Sequence, residues 1–418
     1  MSASPPGERY DVAIVGASTA GCTAARLFAQ SGASVALVER RPALDAYKTV
    51  CTHFIQSSAT PTIEKLGLAP LLEQRGAVRN GIDLWTRDSG WIRTGSDAPY
   101  GYSVTRRTLD PILRKLAAET PGVELISGWS AVGLLDDAHA SGARPTGIRI
   151  ENPARERREI DAQLVVAADG RDSKLARWAR VPGRVKPHGR FFYWGYWRGI
   201  RPATTRSRMW LLDPDAAYTF PNEDDLTVVL LAPHRDRLPE FQADLSGAYR
   251  RSVNALPDGP DLASAELEGK LLGKLELPNV IRPAARPGLA FVGDAALAAD
   301  PLWGVGCGWA FQSADWLVQE TADALSRGRS ALDEALERYR REHRKRLLTH
   351  YLMIADIASG RPISPIERSL YRAAARDPVV SEAFERIGSR NLPPTSMLKP
   401  SLLARIARAR FAPPPALA

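Results

Sequence analysis

The sequence predicts a mixed α/β protein: a discontinuous nucleotide-type domain, an inserted antiparallel β-sheet lobe and a helical C-terminus. Three observations support this prediction. Apolar runs typical of buried strands, each followed by glycine or an acidic residue, occur at 10–15, 163–170 and 289–294. Aromatic runs and turn signals fill residues 186–280. The periodicity is helical from about residue 308 onward, apart from proline-rich patches.

The first of these runs opens a strand–helix–strand unit. Residues 10–15 (YDVAIV) predict a strand, and residues 21–31 carry small and apolar residues at helical spacing. Gly32 then ends the helix, and the run SVALVER predicts a second strand that reaches Glu39. The unit is about thirty residues long, the length of a nucleotide-binding βαβ unit.

The segments that follow are assigned from the same signals. Residues 59–75 and 105–120 are expected to be helices, and 81–95 a hairpin that turns at Asp88. The runs VELISG, AVGLLDD and GIRIEN predict successive strands.

Composition limits the function classes. The net charge is +9, and residues 361–418 contain ten Lys and Arg but only four Asp and Glu. We interpret this excess as a solvated helical surface; a groove for anionic ligands and contact with a membrane surface are the alternatives. A nucleic-acid partner is poorly supported, because neither zinc-ligand spacing nor an RNP-like strand is present.

The three cysteines suggest a reducing compartment without a disulfide framework. We find no signal peptide at the N-terminus and no apolar run of about 18 residues. A cytoplasmic protein without stable membrane insertion is expected.

The first loop, GASTAG, almost matches a dinucleotide-binding fingerprint. Gly16 permits the tight turn, and Gly21 lets the helix pack close to the strand. Ser18 replaces the middle glycine, and its hydroxyl can donate to an anion beside the free N–H groups of the helix N-terminus. Glu39 is placed to accept hydrogen bonds from ribose hydroxyls. The sequence therefore predicts dinucleotide binding; the alternative is a tight turn without a ligand.

Two later motifs have a related form. The strand at 163–170 ends in Asp169 and Gly170, and the strand at 289–294 ends in Gly293 and Asp294. A proline and spaced glycines then lead into the helix at 309–316. Asp294 is suited to hold a ribitol-type hydroxyl chain, and the glycines can present bare N–H groups to a ring carbonyl or an anion.

Together the three motifs resemble the FAD-dependent flavoprotein monooxygenase superfamily, the group that shares the para-hydroxybenzoate hydroxylase fold. The resemblance spans residues 10 to about 318 and implies a Rossmann-like FAD domain in three segments with an inserted substrate lobe. The expected domains are FAD binding at 1–75, 103–185 and 286–340, substrate binding at 76–102 and 186–285, and a C-terminal helical region at 341–418.

The resemblance also implies which residues bind the cofactor, and no metal ligands. The residues expected to bind FAD, some of them also NAD(P)H transiently, are Gly16, Ser18, Ala20, Gly21, Glu39, Arg40, Arg106, Asp169, Gly170, Gly293, Asp294, Pro301, Gly304, Gly306 and Cys307. Gly304 to Cys307 would face the isoalloxazine ring. Arg107 competes with Arg106 for the place of the arginine directed at the cofactor.

The sequence departs from the family pattern in several places. Gly308 stands where an asparagine is usual. The region Cys51–Gln56 is more similar to the subgroup related to geranylgeranyl reductases. The Trp-x-Trp-x-Ile-Pro signature of flavin halogenases is absent, and the lysine expected ahead of it is not evident.

Reduced flavin can form a hydroperoxide with oxygen and pass one oxygen atom to a substrate, so the protein only has to position the substrate and exclude water. His53 and Gln56 are the candidates for catalytic polar groups, although a lone histidine is often structural. The aromatic residues of 191–197 either line a pocket or form core.

The predicted function is that of an FAD-dependent monooxygenase. It would use NAD(P)H and O2 to oxygenate an aromatic or polycyclic secondary metabolite, as a monomer or homodimer. No second glycine fingerprint is visible, so NAD(P)H is expected to bind only transiently. The alternatives are an FAD-dependent reductase or dehydrogenase of an isoprenoid or alkene, a flavin halogenase, and a non-enzymatic flavin-binding protein.

Overall fold

The computed structural model describes residues 8–93, 99–136, 144–201, 204 and 206–409. The strands, in chain order, are β1 (Glu8–Val15), β2 (Val35–Glu39), β3 (Phe54–Ile55), β4 (Val78–Asn80), β5 (Ile82–Thr86), β6 (Gly90–Ile92), β7 (Gly101–Ser103), β8 (Val123–Ser127), β9 (Ser130–Asp136), β10 (Pro145–Glu151), β11 (Arg157–Ala167), β12 (Arg184–Lys186), β13 (Phe192–Arg198), β14 (Ser207–Leu211), β15 (Ala216–Pro221), β16 (Leu226–Ala232), β17 (Glu266–Lys274), β18 (Asn279–Ile281), β19 (Ala285–Arg286), β20 (Leu289–Phe291) and β21 (Leu297–Ala298). The helices are α1 (Thr19–Gln30), α2 (Thr60–Lys65), α3 (Ala69–Gln74), α4 (Arg106–Ala118), α5 (Lys174–Trp178), α6 (Leu238–Ala243), α7 (Leu245–Asn254), α8 (Val305–Leu325), α9 (Arg329–Ile357), α10 (Pro365–Ala374), α11 (Pro378–Gly388) and α12 (Pro400–Ala409).

An eight-stranded sheet brings the three distant strand motifs together. Its main order is β19-β20-β11-β1-β2-β8, and β10 and β9 extend from β11. Val15 pairs with Ala167 in a parallel ladder, and Ala167 pairs with Phe291 in another. Because the carboxyl ends of parallel strands lie at one edge of a sheet, the loops after β1, β11 and β20 meet there.

The first helix, α1, packs against both this sheet and helix α8. Helix α1 carries the fully buried small residues Ala24 and Ala25 and packs against α8. β2 is buried along its whole length, as expected for a strand covered on both faces of a parallel sheet. The predicted βαβ unit is therefore confirmed, and its loop lies directly beside α8.

The aromatic segment forms a seven-stranded sheet in the order β17-β13-β16-β15-β14-β5-β6. It is antiparallel, as predicted, except that β14 runs parallel to β5. Helices α6 and α7, which the sequence analysis did not predict, cover this sheet with the buried side chains Phe241, Tyr249 and Val253. The buried aromatic residues of 191–197 divide between two hydrophobic cores, because successive strand residues face opposite sides.

Two local predictions need correction, and a third is met within the described residues. The single helix expected at 59–75 is divided into α2 and α3, because Gly67 adopts a positive φ of 67°. The strand expected at 289–294 ends at Phe291, and a 3₁₀ turn takes over at Gly293–Ala295. The hairpin expected at 81–95 is present as β5 and β6, and residues 94 and 95 lie outside the described residues.

The predicted helical C-terminus is confirmed, and part of its basic excess is neutralised by ion pairs. Arg368 bonds to Asp213 at 2.8 Å and to Asp88 at 3.2 Å, and Asp88 also pairs with Arg372. These pairs join α10 to the turns of the seven-stranded sheet. Across the described ranges, no helix has the length and apolar character needed to span a bilayer.

Candidate functional site

Two positions, one in the loop between β1 and α1 and one in the first turn of α1, require glycine. Gly16 has a φ of 106°, and a Cβ there would lie 2.5 Å from the carbonyl oxygen of Ala168. A Cβ on Gly21 would lie 1.8 Å from the carbonyl oxygen of Gly16. Both glycines are therefore required by the packing of the βαβ unit, whatever the loop binds.

Two side-chain hydroxyl groups at the N-terminus of α1 do not cap the helix. Ser18 is the N-cap residue, but its side chain does not cap the helix. Instead, its hydroxyl oxygen accepts a hydrogen bond of 2.7 Å from Nη2 of Arg106. Within the described parts of the chain, the buried Thr19 hydroxyl oxygen has no hydrogen-bond partner. A helix N-terminus beside a guanidinium group is suited to an anion such as a pyrophosphate.

Arg106 lies at the centre of the site. Its side chain is 4% exposed and forms an ion pair with Asp110 one turn further along α4. Its Nη1 lies 3.8 Å from Sγ of Cys307 and 4.0 Å from Sγ of Cys51. Burial acts against the charge, but the carboxylate of Asp110 holds the pKa of Arg106 above its usual value. Arg107, the competing candidate, points away and pairs with Glu268.

The early turn and the late bend lie side by side. A Cβ on Gly293 would lie 3.1 Å from Cβ of Ala20, in the first turn of α1. Arg106 reaches Ser18 with one terminal nitrogen and approaches Cys307 with the other. The two motifs, far apart in sequence, therefore face one common space.

Glu39 and Asp294 lie at this space in different settings. Glu39 accepts hydrogen bonds from the backbone N–H groups of Ala17 at 2.8 Å and Arg41 at 3.0 Å. Asp294 lies 3.3 Å from Nζ of Lys48. Burial raises the pKa of Asp294, but the attraction of Lys48 prevails and the pKa is lowered.

Asp169 has a structural task. Its Oδ2 accepts hydrogen bonds from the N–H groups of Lys174 and Leu175 at the start of α5. Burial raises the pKa of this carboxyl group. Its Oδ1 is buried and has no hydrogen-bond partner in the described chain.

The remaining predicted cofactor residues also lie along this edge. Pro301 opens a 3₁₀ turn that Asp300 caps, and Gly304 follows with a φ of 62°. A Cβ on Gly304 would lie 2.9 Å from the ring of Phe54, whereas one on Gly306 would meet nothing nearer than Oδ1 of Asp294 at 4.0 Å. Gly170 has a φ of 86°, and Arg40 is exposed.

Both ring nitrogens of His53 take part in hydrogen bonds. The backbone N–H of Arg106 donates to Nδ1 at 2.9 Å, so the neutral ring carries its proton on Nε2. Nε2 lies 2.7 Å from the hydroxyl oxygen of Tyr196 and donates to it. Burial lowers the pKa of His53 and raises that of Tyr196 to about 12. The pair is therefore neutral near pH 7, and His53 acts as a donor.

Gln56 uses its amide to join three segments. Its Nε2 donates to the carbonyl oxygens of Trp303 at 2.8 Å and Gly388 at 2.7 Å. Its Oε1 accepts from Nε of Arg390 at 2.6 Å. With the amide fully engaged, Gln56 positions the Trp303 turn against α11.

An apolar cavity opens beside this turn. It encloses about 560 Å³ of empty space, part of it open to solvent, between the sheet, the Trp303 turn and α11. Its apolar walls are Phe54, Ile82, Leu84, Ile92, Trp303 and Phe384. The mainly apolar lining suits contact with an apolar part of a ligand.

Sequence reasoning missed several residues of the site. Arg114 is 1% exposed and joins the loop after β1 to the segment after β2 by donating to the carbonyl oxygens of Ala17 and Ala46. Asp110 could have been found from its i,i+4 spacing to Arg106. Lys48 carries no sequence signal of its own, because its contact with Asp294 depends on the fold.

FAD fits this set of residues. The glycine turn, the uncapped helix and Arg106 suit a pyrophosphate, and the carboxylates of Glu39 and Asp294 suit hydroxyl groups on either side of it. The orphaned Thr19 hydroxyl lies at the same helix N-terminus.

A two-lobed fold with such a site defines the class of flavin-dependent oxidoreductases. The family model described as "FAD binding domain" matches residues 9–246, more than half of the chain, and the protein belongs to this family. It is an FAD-dependent oxidoreductase.

Comparison with known proteins gives relatives of several activities. A tryptophan 2-halogenase of Chondromyces crocatus is 27% identical over 362 residues, which cover 82% of this chain and 67% of that protein. A digeranylgeranylglycerophospholipid reductase of Methanothrix thermoacetophila is 26% identical over 356 residues, which cover 82% and 86%. A flavoprotein/dehydrogenase structure from Cytophaga hutchinsonii shares the fold, with a TM-score of 0.77 at 17% identity over 96% of this chain and 98% of that one. The fold also recurs in a probable FAD-dependent monooxygenase of Pseudomonas aeruginosa.

Proposed function

We propose that this protein is an FAD-dependent monooxygenase that uses NAD(P)H and O2 to oxygenate an aromatic or polycyclic substrate. The observation that supports this most directly is the apolar cavity, which adjoins the Trp303–Gly304 turn at the predicted ring-facing loop. Bound FAD would supply the redox chemistry and the activation of oxygen.

In this proposal, the residues of the protein bind FAD and exclude water from the substrate. The first turn of α1, Ser18 and Arg106 hold the pyrophosphate, and Glu39 and Asp294 hold hydroxyl groups. In this proposal, Gly304, Gly306 and Cys307 leave room for the isoalloxazine ring. The apolar cavity walls exclude water from the reacting carbon of the substrate.

His53 and Tyr196 form the polar relay of the site. Because Nδ1 accepts the Arg106 N–H, His53 keeps Nε2–H directed at the Tyr196 oxygen. Tyr196 stays protonated up to a pKa of about 12, so its hydroxyl remains a hydrogen-bond donor near pH 7. The cavity lining includes neither residue, so His53 is proposed to position Tyr196 beside Arg106 at the cofactor side of the site.

Reduction of an isoprenoid or other alkene is the second candidate. The reductase relative is matched over 86% of its length, and six of the residues that line the cavity are apolar, although Glu385 also lines it. In that case electrons would pass from the flavin to the alkene, and oxygen would take no part.

One experiment separates these functions. The FAD-loaded protein is incubated with NADH or NADPH, a panel of polycyclic and isoprenoid substrates, bromide and isotopically labelled O2, and the products are analysed by mass spectrometry. The proposal predicts a product that contains one labelled oxygen atom and is not formed without O2.

The other outcomes reject the proposal. Products formed in strict anaerobiosis that gain two hydrogen atoms establish the reductase function. Products with the bromine isotope pattern establish halogenation. Oxidation of NAD(P)H at the same rate with and without every substrate also contradicts the proposal.

A further inference from the structure

Two cysteines from distant parts of the chain meet at the site. Cys51 follows β2, and Cys307 lies in the first turn of α8. Their sulfur atoms are 3.7 Å apart, across 256 positions of sequence. A disulfide bond requires about 2.05 Å, so a shift of about 1.7 Å would join them.

The surroundings give the two thiols different roles. The backbone N–H of His53 donates to Sγ of Cys51 at 3.3 Å, and the guanidinium group of Arg106 lies 4.0 Å away. The hydrogen bond from the Cys307 thiol lowers the pKa of Cys51 well below its usual value, against the effect of burial. The same hydrogen bond, reinforced by burial, raises the pKa of Cys307.

Exposure assigns the order of reaction. Cys51 is half-buried, and Cys307 is 7% exposed. A reagent from solvent reaches Cys51 first, and Cys307 can attack only a sulfur already beside it.

We propose that Cys51 and Cys307 form a dithiol site that hydrogen peroxide oxidises to a reversible disulfide. Cys51 is the attacking thiolate and Cys307 the resolving thiol. This inference does not depend on which reaction the flavin catalyses.

The chemistry balances in two steps. The Cys51 thiolate attacks one peroxide oxygen, the O–O bond breaks, and hydroxide leaves and takes up a proton as water; Cys51 becomes a sulfenic acid. Cys307 loses its proton, attacks the Cys51 sulfur and displaces a second hydroxide, which also becomes water. Two thiols are oxidised by two electrons, and one peroxide is reduced to two waters.

The disulfide would tie the segment after β2 to the start of α8. That segment contains Lys48, the partner of Asp294, and it is anchored by Arg114. Oxidation would also remove the thiolate that faces Arg106. The redox state of this pair therefore sets how freely the two sides of the flavin-binding space move apart.

The test treats the FAD-loaded wild-type protein with hydrogen peroxide, alkylates free thiols under denaturing conditions and maps the peptides by mass spectrometry. We expect one cross-linked peptide pair containing Cys51 and Cys307, lighter by two hydrogen atoms, which dithiothreitol converts back to two thiols. Cys22 is the internal control: it is 1% exposed, and burial raises its pKa, so it should remain alkylatable.

Two variants check the order of attack. In Cys307→Ser, dimedone should trap a sulfenic acid at Cys51, and the cross-link should be lost. In Cys51→Ser, both the cross-link and the dimedone adduct should be lost. Circular dichroism confirms that each variant is folded, and the wild-type result stands if either is not.

Two results would overturn the proposal. One is that Cys51 and Cys307 both remain alkylatable after peroxide treatment. The other is that Cys51 passes to sulfinic acid in the wild-type protein without any link to Cys307.

Discussion

Arg106 shows how much of this site depends on one buried charge. It joins Ser18 of the first loop, Asp110 of its own helix and the cysteine pair. Its neighbour Arg107 is 44% exposed and makes a surface ion pair. Adjacent arginines on one helix thus have different tasks, and only the fold tells them apart.

This contrast gives a matched prediction. Arg106→Met leaves the carboxylate of Asp110 buried without its partner, and it should destabilise the protein by about 3–5 kcal/mol. Arg107→Met should cost less than about 1 kcal/mol, because exposed pairs contribute little. Urea unfolding of the flavin-free proteins measures both, and equal losses would contradict the assignment.

Gly306 permits a test of the flavin face alone. A Cβ there lies no closer than 4.0 Å to another residue, so Gly306→Ala should leave the stability unchanged or raise it by about 0.5–1 kcal/mol. If the ring packs against this position, the same variant should bind FAD less tightly. Flavin fluorescence titration and thermal unfolding of the flavin-free protein measure the two effects, and unaltered FAD affinity would exclude the predicted contact.

At the level of elements, α8 and the C-terminal helices meet at Gly308. The guanidinium group of Arg390 occupies the space beside it: a Cβ on Gly308 would lie 2.6 Å from Nη2. Arg390 also donates to Gln56 and Ser58, and burial lowers its pKa well below the usual value. The glycine that departs from the family pattern therefore makes room for this arginine.

A double-mutant cycle tests that contact. Gly308→Ala should destabilise the protein by about 1–3 kcal/mol through overpacking, and the loss should shrink in an Arg390→Ala background. Gly306→Ala, two residues earlier in the same helix, is the matched control. Additive losses measured by urea unfolding would show that the two positions do not interact.

The sequence predicted elements better than it predicted contacts between them. The βαβ unit followed from apolar periodicity and Gly32, and the late strand from a short apolar run. The approach of Arg106 to Cys307 spans 201 positions and depends on how the sheet is ordered, which local pattern does not encode. Helices α6 and α7 were missed because the aromatic runs on either side favoured strands throughout.

The candidate site was predicted in part for the same reason. The glycines and acids with strand–turn–helix spacing lie along one edge, but their roles as ligands remain predictions. Gln56 lines the cavity while its amide joins backbone segments, so its catalytic role stays a prediction, and Lys48 and Arg114 have no motif.

Over the whole molecule, buried histidines make stability depend on pH. His343 and His350, about two turns apart in α9, are each 4% exposed, and burial lowers the pKa of each from 6.5 to about 4. The unfolded chain therefore binds protons in this range more readily than the folded chain does. The two buried histidines therefore do not reduce the free energy of unfolding above about pH 6.5. Below that pH the free energy of unfolding should fall as the pH decreases toward 4.

His343→Leu isolates one of these groups. It should reduce the slope of unfolding free energy against pH, between pH 6 and 4.5, by up to about 1.4 kcal/mol per pH unit. Arg344→Gln, a substitution at an exposed neighbour in the same helix, should leave the slope as it is. Identical slopes in all three proteins, from urea unfolding at several pH values, would contradict the expectation.

The family match ends at residue 246, whereas Trp303 and Phe384, two walls of the apolar cavity, come from later in the chain. The cavity therefore combines walls from the matched segment, such as Phe54 and Ile82, with walls from the part of the chain beyond it. Replacing the last helices alone would change one wall of the cavity and leave the first loop, Arg106 and the late bend in place. A chimaera carrying the last helices of a relative should keep its yellow colour and change its preference.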